Sequence, residues 1–441
     1  MKVAFYTLGC KVNQYETQAL ETLFVQNGFE LTDFSEYSDV YIINTCTVTA
    51  MSDKKSRNAA RRAKQKNPDS ILVVCGCYAQ VEPDEVKELC GADIVVGSHQ
   101  KGKIVELVNE ALEGKKVQNE LAPIKGRVIF EHLPAGGLVG RTRALLKVQD
   151  GCQNFCSYCK IPYARGACRS LPLEDAVADA IKIKNKGYKE LVITGIEISS
   201  YGIDLPDKPS LAPLIKAICL AVPEVRVRLG SLEPRTITKE FVDEIKNLDN
   251  LCPHFHLSLQ SGCDKTLNAM NRKYLSERYY ESVVLLREAF DNCSITTDLI
   301  VGFPCETDGD FKESIAFVEK CRLNQVHIFP YSKRKGTKAA TMSGQILKAV
   351  KTQRAQEAAS VCFKLEKEYL ENQIGRTVSV LFEQQEGNGF IGHSKEYYNV
   401  FVEGENLQNK VCNVLIKKLN KDILIGEIIE STTTSSTGGL K

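Results

Sequence analysis

Asp150-Gly-Cys-Gln-Asn-Phe-Cys-Ser-Tyr-Cys159 sets Cys152, Cys156 and Cys159 in the spacing C-x3-C-x2-C. Three thiolates this close on one loop can hold a single metal centre. A tetrahedral zinc site wants four ligands, and this stretch offers three. A cubane iron–sulfur cluster accepts three thiolates and leaves its fourth iron open for chemistry.

The 441 residues are enough for about three domains. A hydrophobic share of 43% and a charged share of 25% are ordinary for a globular protein. The formal net charge of +2 implies no global polycation, so any contact with nucleic acid must come from local patches. No apolar run of about 18 residues exists, so the sequence predicts no membrane span. The first residues, MKVAF, read as a strand and not as a signal peptide. Seventeen cysteines, an odd number spread along a long chain, argue for a reducing cytoplasm with some thiols as metal ligands.

Outward from the loop, the chain falls into three textures. Residues 1–115 alternate apolar runs at 2–8, 40–44, 71–75 and 94–96 with helical stretches at 13–28, 52–67, 82–89 and 103–112. That pattern predicts an open parallel α/β sheet. Cys10, Cys46 and Cys77 each lie just past the carboxyl end of a successive strand, the edge that forms the ligand crevice in such sheets. Gly9 and Gly76 precede two of them and allow close backbone approach. This placement implies a second three-thiolate site. Cys75 rivals Cys77 but reads as the buried end of its strand. The other cysteines in apolar stretches read as small buried hydrophobes.

A linker is expected at 116–137 and a second unit at 138–368. Its strands, at 144–149, 190–194, 226–229, 254–259, 296–301 and 325–329, alternate with five helices. Six such units predict a partial (β/α)6 barrel with its function at the carboxyl ends of the strands. The cysteine loop follows the first of them. A long helix at 348–372 leads to five short strands over 371–431, expected to form a small all-β, OB-like barrel. The tail 432–441 reads as disordered.

With these pieces in place, the chain resembles a radical S-adenosylmethionine enzyme, whose signature is C-x3-C-x-aromatic-C with Tyr158 as the aromatic. It resembles the methylthiotransferases of that superfamily more closely. TLGCKVNQYET (7–17), NTCTVT (44–49), GCYAQ (76–80), SLQSGCD (258–264), TTDLIVGFP (296–304) and FPYSKRKGTKAA (329–340) match along nearly the whole chain. The family has three branches, acting on isopentenyl-adenosine in tRNA, on a ribosomal-protein aspartate, and on threonylcarbamoyl-adenosine at tRNA position 37. GCKVNQYET and NTCTVT resemble the third; the others typically carry GCQMN or GCPKN.

The resemblance implies two [4Fe–4S] clusters, each with three cysteine ligands and one open iron, and S-adenosylmethionine. Cys152, Cys156 and Cys159 would hold the cluster that cleaves S-adenosylmethionine to a 5′-deoxyadenosyl radical. Cys10, Cys46 and Cys77 would hold the cluster that presents the sulfur, so the two open irons should face each other across one adenine pocket. Gly195 and Glu197 would lie near the methionine part of the cofactor, Ser258 and Gln260 near the ribose, and Val301 and Gly302 near the adenine. The C-terminal barrel would be of the TRAM type. Where the family has GFPGET this chain has Cys305, read as a glycine replacement in a turn.

For tRNA, Lys333 and Arg334 after the sixth strand, and Lys395, Tyr397 and Tyr398 in the last unit, combine charge with stacking faces. Alternation suggests that some of these aromatics are core, Phe401 first. The basic helix carries Lys54, Lys55, Arg57, Arg61, Arg62, Lys64 and Lys66. The expected partners are tRNA, an electron donor such as flavodoxin or ferredoxin, and a sulfur source. The non-enzymatic alternative is an iron–sulfur or zinc RNA-binding protein.

Overall fold

The structure is a computed structural model that describes residues 1–115, 117, 121, 129–137 and 142–429. Part of the expected linker and the whole expected tail 432–441 lie outside the described residues.

The first sheet holds β1 (Lys2–Thr7), β2 (Glu30–Thr32), β3 (Val40–Thr45), β4 (Ile71–Gly76) and β5 (Ile94–Val96). They run parallel in the order β2-β1-β3-β4-β5. β3 is buried along its whole length, which explains its unbroken apolar run. Val40, Ile42, Val73 and Cys75 pack under helices Lys11–Gln26 and Ile104–Leu112. Tyr41, Ile43, Leu72 and Val74 face helices Ala50–Lys66 and Pro83–Cys90. Thr49 caps the basic helix by accepting from the Ser52 N–H at 3.2 Å. The edge strand β2 was not foreseen; its Glu-Leu-Thr holds a single apolar residue, where the equally short β5 is apolar throughout.

The central unit holds β6 (Arg143–Lys147), β7 (Gln149–Asp150), β8 (Arg169–Ser170), β9 (Glu190–Thr194), β10 (Arg226–Leu229), β11 (Ser231–Leu232), β12 (His254–Leu257), β13 (Ser294–Val301) and β14 (Gln325–Pro330). Its long strands are parallel, in two arcs β6-β9-β10 and β11-β12-β13-β14. Gly230 alone separates the arcs, and its N–H donates to the Ile193 carbonyl at 2.8 Å. The result is an open barrel in which β6 and β14 are unpaired edges. The short antiparallel pair β7–β8 brackets the cysteine loop.

The first unit spans that gap. On the β6 side, Tyr15 and Ala19 of helix Lys11–Gln26 join the barrel core, and the Tyr15 hydroxyl donates to the Leu133 carbonyl at 2.6 Å. On the β14 side, Arg334 donates to Asp53 at 2.5 Å and to Thr47 at 2.8 Å.

Helix Lys348–Glu371 leads to β15 (Thr377–Glu386), β16 (Gly389–Ser394), β17 (Asn399–Glu403), β18 (Val411–Asn420) and β19 (Ile423–Ile428), a closed barrel ordered β15-β16-β17-β19-β18. It docks at the amino ends of the central strands. Arg226, the first residue of β10, donates to the His393 carbonyl at 3.2 Å and to Ser379 at 2.7 Å. Arg143, the first of β6, donates to Glu383 at 3.0 Å. The cysteine loop lies at the opposite end.

Candidate active site

The loop at 150–159 is held by backbone it cannot vary. Gly151 has φ +76°, and a Cβ there would meet the Ala167 carbonyl oxygen at 2.0 Å. The Cys152 N–H donates to the Gly166 carbonyl at 3.0 Å, and the Ser157 N–H to that of Met270 at 2.9 Å. Burial, with the nearby charges of Glu197, Cys159 and Cys156, pushes the Cys152 thiol up to about 12. Burial and then Cys156 push Cys159 to about 12. Arg272 donates to the Cys156 sulfur at 3.1 Å and, through its other nitrogens, to Glu233 and to the Tyr274 hydroxyl.

Cys10, Cys46 and Cys77 follow β1, β3 and β4, and the sheet order places those three strands side by side. Gly9 has φ +112°, and a Cβ there would lie 2.8 Å from the Cys46 Cβ and 3.1 Å from its sulfur. Gly76 has φ +97° and is equally confined, with Asn44 Oδ1 and the Thr45 carbonyl oxygen 2.6 Å from such a Cβ. Burial, and then the charge of Cys77, push Cys46 to about 12. Cys10 is open to the crevice. Crowding by protein still raises its thiol, Arg165 pulls it down and Cys77 raises it further. Cys75 is fully buried among the apolar side chains of the sheet.

One side chain links the helix after the cysteine loop to the N-terminal thiols. Arg165, in the short helix Ile161–Arg165 just after the cysteine loop, donates to the Cys77 sulfur at 3.3 Å. Cys77 is also among the charges that raise Cys159. Beneath this junction lies a buried charge network that sequence reasoning missed. Glu16 pairs with Lys101, with Arg165 and, at 3.3 Å, with Lys147. Asp150 pairs with Lys147 at 2.7 Å, Arg169 at 2.9 Å and Arg165 at 3.3 Å. Two carboxylates thus face four cations, all nearly fully buried. The surplus positive charge under a cysteine triad suits a bound anionic thiolate cluster.

The residues expected near the cofactor follow or end strands of the central unit and differ in what they leave free. Gly195 has no room for a side chain, with Gln149 oxygens 2.9 Å from any Cβ. The Glu197 N–H donates to Gln149 Oε1 at 2.8 Å, and its carboxylate is held by the Ser199 N–H and the Ser200 hydroxyl. Burial raises that carboxyl. Gln260 has φ +68°, and its backbone bridges Asp298 and Ile300. The Ser258 carbonyl accepts from the Tyr274 hydroxyl. Tyr158 packs against the Met270, Phe303 and Tyr331 cluster. Val301 is core, so only its backbone is available. The Gly302 N–H donates to Glu306, and Lys351 leaves no space for a Cβ. Cys305 is an exposed turn residue at φ +66°, as its position in the sequence suggested.

Most of the expected RNA contacts are engaged otherwise. Arg334 is the buried clamp to Asp53. Tyr398 is 7% exposed in the core of the C-terminal barrel, with Val400 and Val402. Tyr397, at φ +77°, stacks between His254 and His393, with the Arg228 guanidinium over its ring. Lys395 donates to the Asp249 carbonyl at 2.7 Å. Arg334 and Tyr398 are buried, Lys395 and Tyr397 are half-buried, and Lys333 alone of the five is fully exposed. On the basic helix, Lys54, Lys55, Arg61, Arg62 and Lys66 are exposed, while Arg57 and Lys64 pair with Glu85 and Asp93.

The chain is similar to known proteins along nearly its whole length. Residues 2–97 match the uncharacterized protein family UPF0004, and residues 146–318 match the radical SAM superfamily. The threonylcarbamoyladenosine tRNA methylthiotransferase MtaB of Bacillus subtilis (strain 168) is 39% identical over 423 residues, 94% of each chain. That of Aquifex aeolicus (strain VF5) is 37% identical over 94% of this chain and 100% of its own. The chain belongs to the radical SAM tRNA methylthiotransferases.

A tRNA-2-methylthio-N(6)-dimethylallyladenosine synthase of Alkaliphilus oremlandii (strain OhILAs) is 32% identical to this methylthiotransferase, over 97% of this chain and 93% of its own. Among solved structures, the radical S-adenosylmethionine methyltransferase TsrM from Kitasatospora setae shares the fold, with a TM-score of 0.57 at 14% identity over 77% of this chain and 75% of that one. As a radical SAM enzyme, the methylthiotransferase uses a [4Fe–4S] cluster and S-adenosylmethionine, and its substrate is tRNA. Among the described residues no helix is long and apolar enough to cross a membrane.

Proposed function

We propose that this methylthiotransferase modifies carbon 2 of threonylcarbamoyl-adenosine at tRNA position 37, in one crevice served by two [4Fe–4S] clusters. Cys152, Cys156 and Cys159 would hold one cluster, and Cys10, Cys46 and Cys77 the other. When bound, the clusters and S-adenosylmethionine supply one-electron cleavage of the sulfonium and the sulfur to be transferred. The chain's own residues do the rest. Arg272 and Arg165 each donate to one ligand sulfur, which spreads negative charge off the thiolate. Glu197 and the backbone around Gly195 and Gln260 form an oriented polar rim for the cofactor's amino, carboxylate and hydroxyl groups. The first unit closes the lateral gap of the barrel and keeps bulk water from the junction.

The observation that carries this reading is the approach of Cys77 to the cysteine loop through Arg165. Relatives named for threonylcarbamoyladenosine, at 37–39% identity over nearly the whole chain, support the substrate. In this reading residues 1–115 form the sulfur-presenting unit, 138–368 the radical core and 371–431 a TRAM-like RNA-binding unit. Lys333 and the exposed cations of helix Ala50–Lys66 contact tRNA phosphates. Lys410, Lys418 and Lys421, exposed on the C-terminal barrel, would add phosphate contacts of their own. A reduced flavodoxin or ferredoxin would supply electrons and a sulfide source would renew the sulfur, in the cytoplasm.

Nucleoside mass analysis of tRNA from a deletion strain tests the proposal: the methylthio derivative of threonylcarbamoyl-adenosine should disappear. The second reading is isopentenyl-adenosine, favoured by dimethylallyladenosine synthases at 32–33% identity. The same profile would then lose its methylthio-isopentenyl product instead.

A further inference from the structure

Beside the cysteine crevice the barrel carries an open cavity of about 550 Å³, lined by three units of the chain, with Lys11 and Gln14 exposed in it. Lys11, Gln14 and Gln18 line it from helix Lys11–Gln26 at i, i+3 and i+7, so one helix face turns toward it. Leu145 and Val192 line it from β6 and β9, and Arg143, Arg228 and Tyr397 form the end facing the C-terminal barrel. Lys11 directly follows Cys10, so the cavity adjoins the sulfur-presenting triad.

The charges in this cavity are unequally matched. Arg228 is held by Glu190 through two hydrogen bonds of 2.7 and 2.9 Å. Arg143 is held by Glu383 at 3.0 Å. Lys11 has no carboxylate within ion-pair distance among the described residues, and it shares the lining of the cavity with Arg143 and Arg228. A cation kept among cations, with both neighbouring acids committed, is poised for an anion from outside the chain.

We infer that this cavity is the subsite for the N6 substituent of the substrate base, and that the Lys11 ammonium binds its free carboxylate. The inference rests on the threonylcarbamoyl-adenosine reading. In adenine, carbon 2 and carbon 6 flank N1, so carbon 2 and the N6 arm share one edge of the base. A base that offers carbon 2 to the cysteine junction therefore carries its N6 arm beside that junction, on the side where Lys11 follows Cys10. The threonylcarbamoyl arm carries a urea, a hydroxyl, a methyl group and a carboxylate. Gln14 and Gln18 offer amides to the urea and hydroxyl, Leu145 and Val192 offer apolar surface to the methyl, and Lys11 offers the charge. A hydrocarbon arm would leave all three polar side chains unmatched, which is how a site built for polar groups rejects an analogue lacking them.

The test uses the full-length protein, loaded with iron and kept anaerobic. Binding is measured to two anticodon stem–loop RNAs that differ only in the arm, one with the free threonyl carboxylate and one with its carboxamide. Wild type should prefer the acid by roughly 10- to 100-fold, the span of a charge-assisted hydrogen bond. Lys11→Met should bind both RNAs alike, and Lys11→Arg should keep part of the preference. If Lys11→Met fails to retain its iron, Lys11→Gln replaces it. Equal binding of acid and carboxamide by wild type overturns the inference, and so does a full preference surviving in Lys11→Met. Failure of the substrate reading looks different: wild type would leave the acid-bearing RNA without a methylthio group, whatever its affinity.

Discussion

The Nε of Arg165 donates to the sulfur of Cys77 at 3.3 Å, joining two residues 88 positions apart in sequence. The same guanidinium reaches Glu16, Asn13 and Asp150, so one side chain ties the first unit to the cysteine loop. Replacing it with Met leaves Glu16 with Lys101 and Lys147, and Asp150 with Lys147 and Arg169. Arg165→Met should therefore lower stability by less than the about 3–5 kcal/mol of a fully stranded buried charge, measured by anaerobic urea unfolding. Arg165→Lys keeps the charge but not the planar fork, and should recover only part of that loss.

Gly9 gives a sharper test of the N-terminal triad. Its φ of +112° and the 2.8 Å approach to the Cys46 Cβ leave no room for a methyl group. Gly9→Ala should lose about half of the roughly eight irons expected for two cubanes and keep cleavage of S-adenosylmethionine. Iron analysis with a cleavage assay reads both. Gly151→Ala, beside the Ala167 carbonyl, should show the converse and lose cleavage.

The strap at 129–137 carries a pH-sensitive latch. His132 Nε2 and Asp179 Oδ2 lie 2.6 Å apart, and that bond raises the His132 imidazole above its usual value. A raised base stabilises the fold fully below the unfolded value near 6.5 and loses that contribution as pH rises through the folded value. The stability gap between wild type and His132→Gln should thus be widest below pH 6.5 and shrink as the pH rises past it. Because His132 is more than a third exposed, the gap should not exceed about 1 kcal/mol. Urea unfolding across that pH range measures it.

Lys333 and Arg334 are neighbours with different work. Lys333→Ala should reduce the salt dependence of tRNA binding by about one phosphate contact. Arg334→Met strands Asp53 at the seam between units and should lower the unfolding midpoint instead. Filter binding over a salt series, beside thermal unfolding, separates the two.

Much of the architecture is legible in the sequence because strand ends and cysteines coincide. Cys10, Cys46 and Cys77 are far apart in the chain, yet parallel order makes successive strand ends neighbours. The charge network was illegible for the opposite reason. Glu16, Asp150 and Arg165 look like unrelated surface charges until two units pack together. The aromatics of the last barrel failed by a single residue of phase. Tyr398, Val400 and Val402 point inward, so Phe401, expected in the core, lies on the other face. Tyr397 reads as an RNA-stacking residue, but docking of one barrel on another claims its ring.

The central claim is that both cysteine triads serve one reaction site. Cys77→Ala, iron-loaded and reduced, tests it on tRNA bearing threonylcarbamoyl-adenosine beside wild type, with nucleosides and S-adenosylmethionine products measured by mass spectrometry. Wild type should form the 2-methylthio nucleoside; the variant should still release methionine and 5′-deoxyadenosine but leave the tRNA without a methylthio group. A Cys77→Ala protein that methylthiolates its tRNA as wild type does would contradict the account.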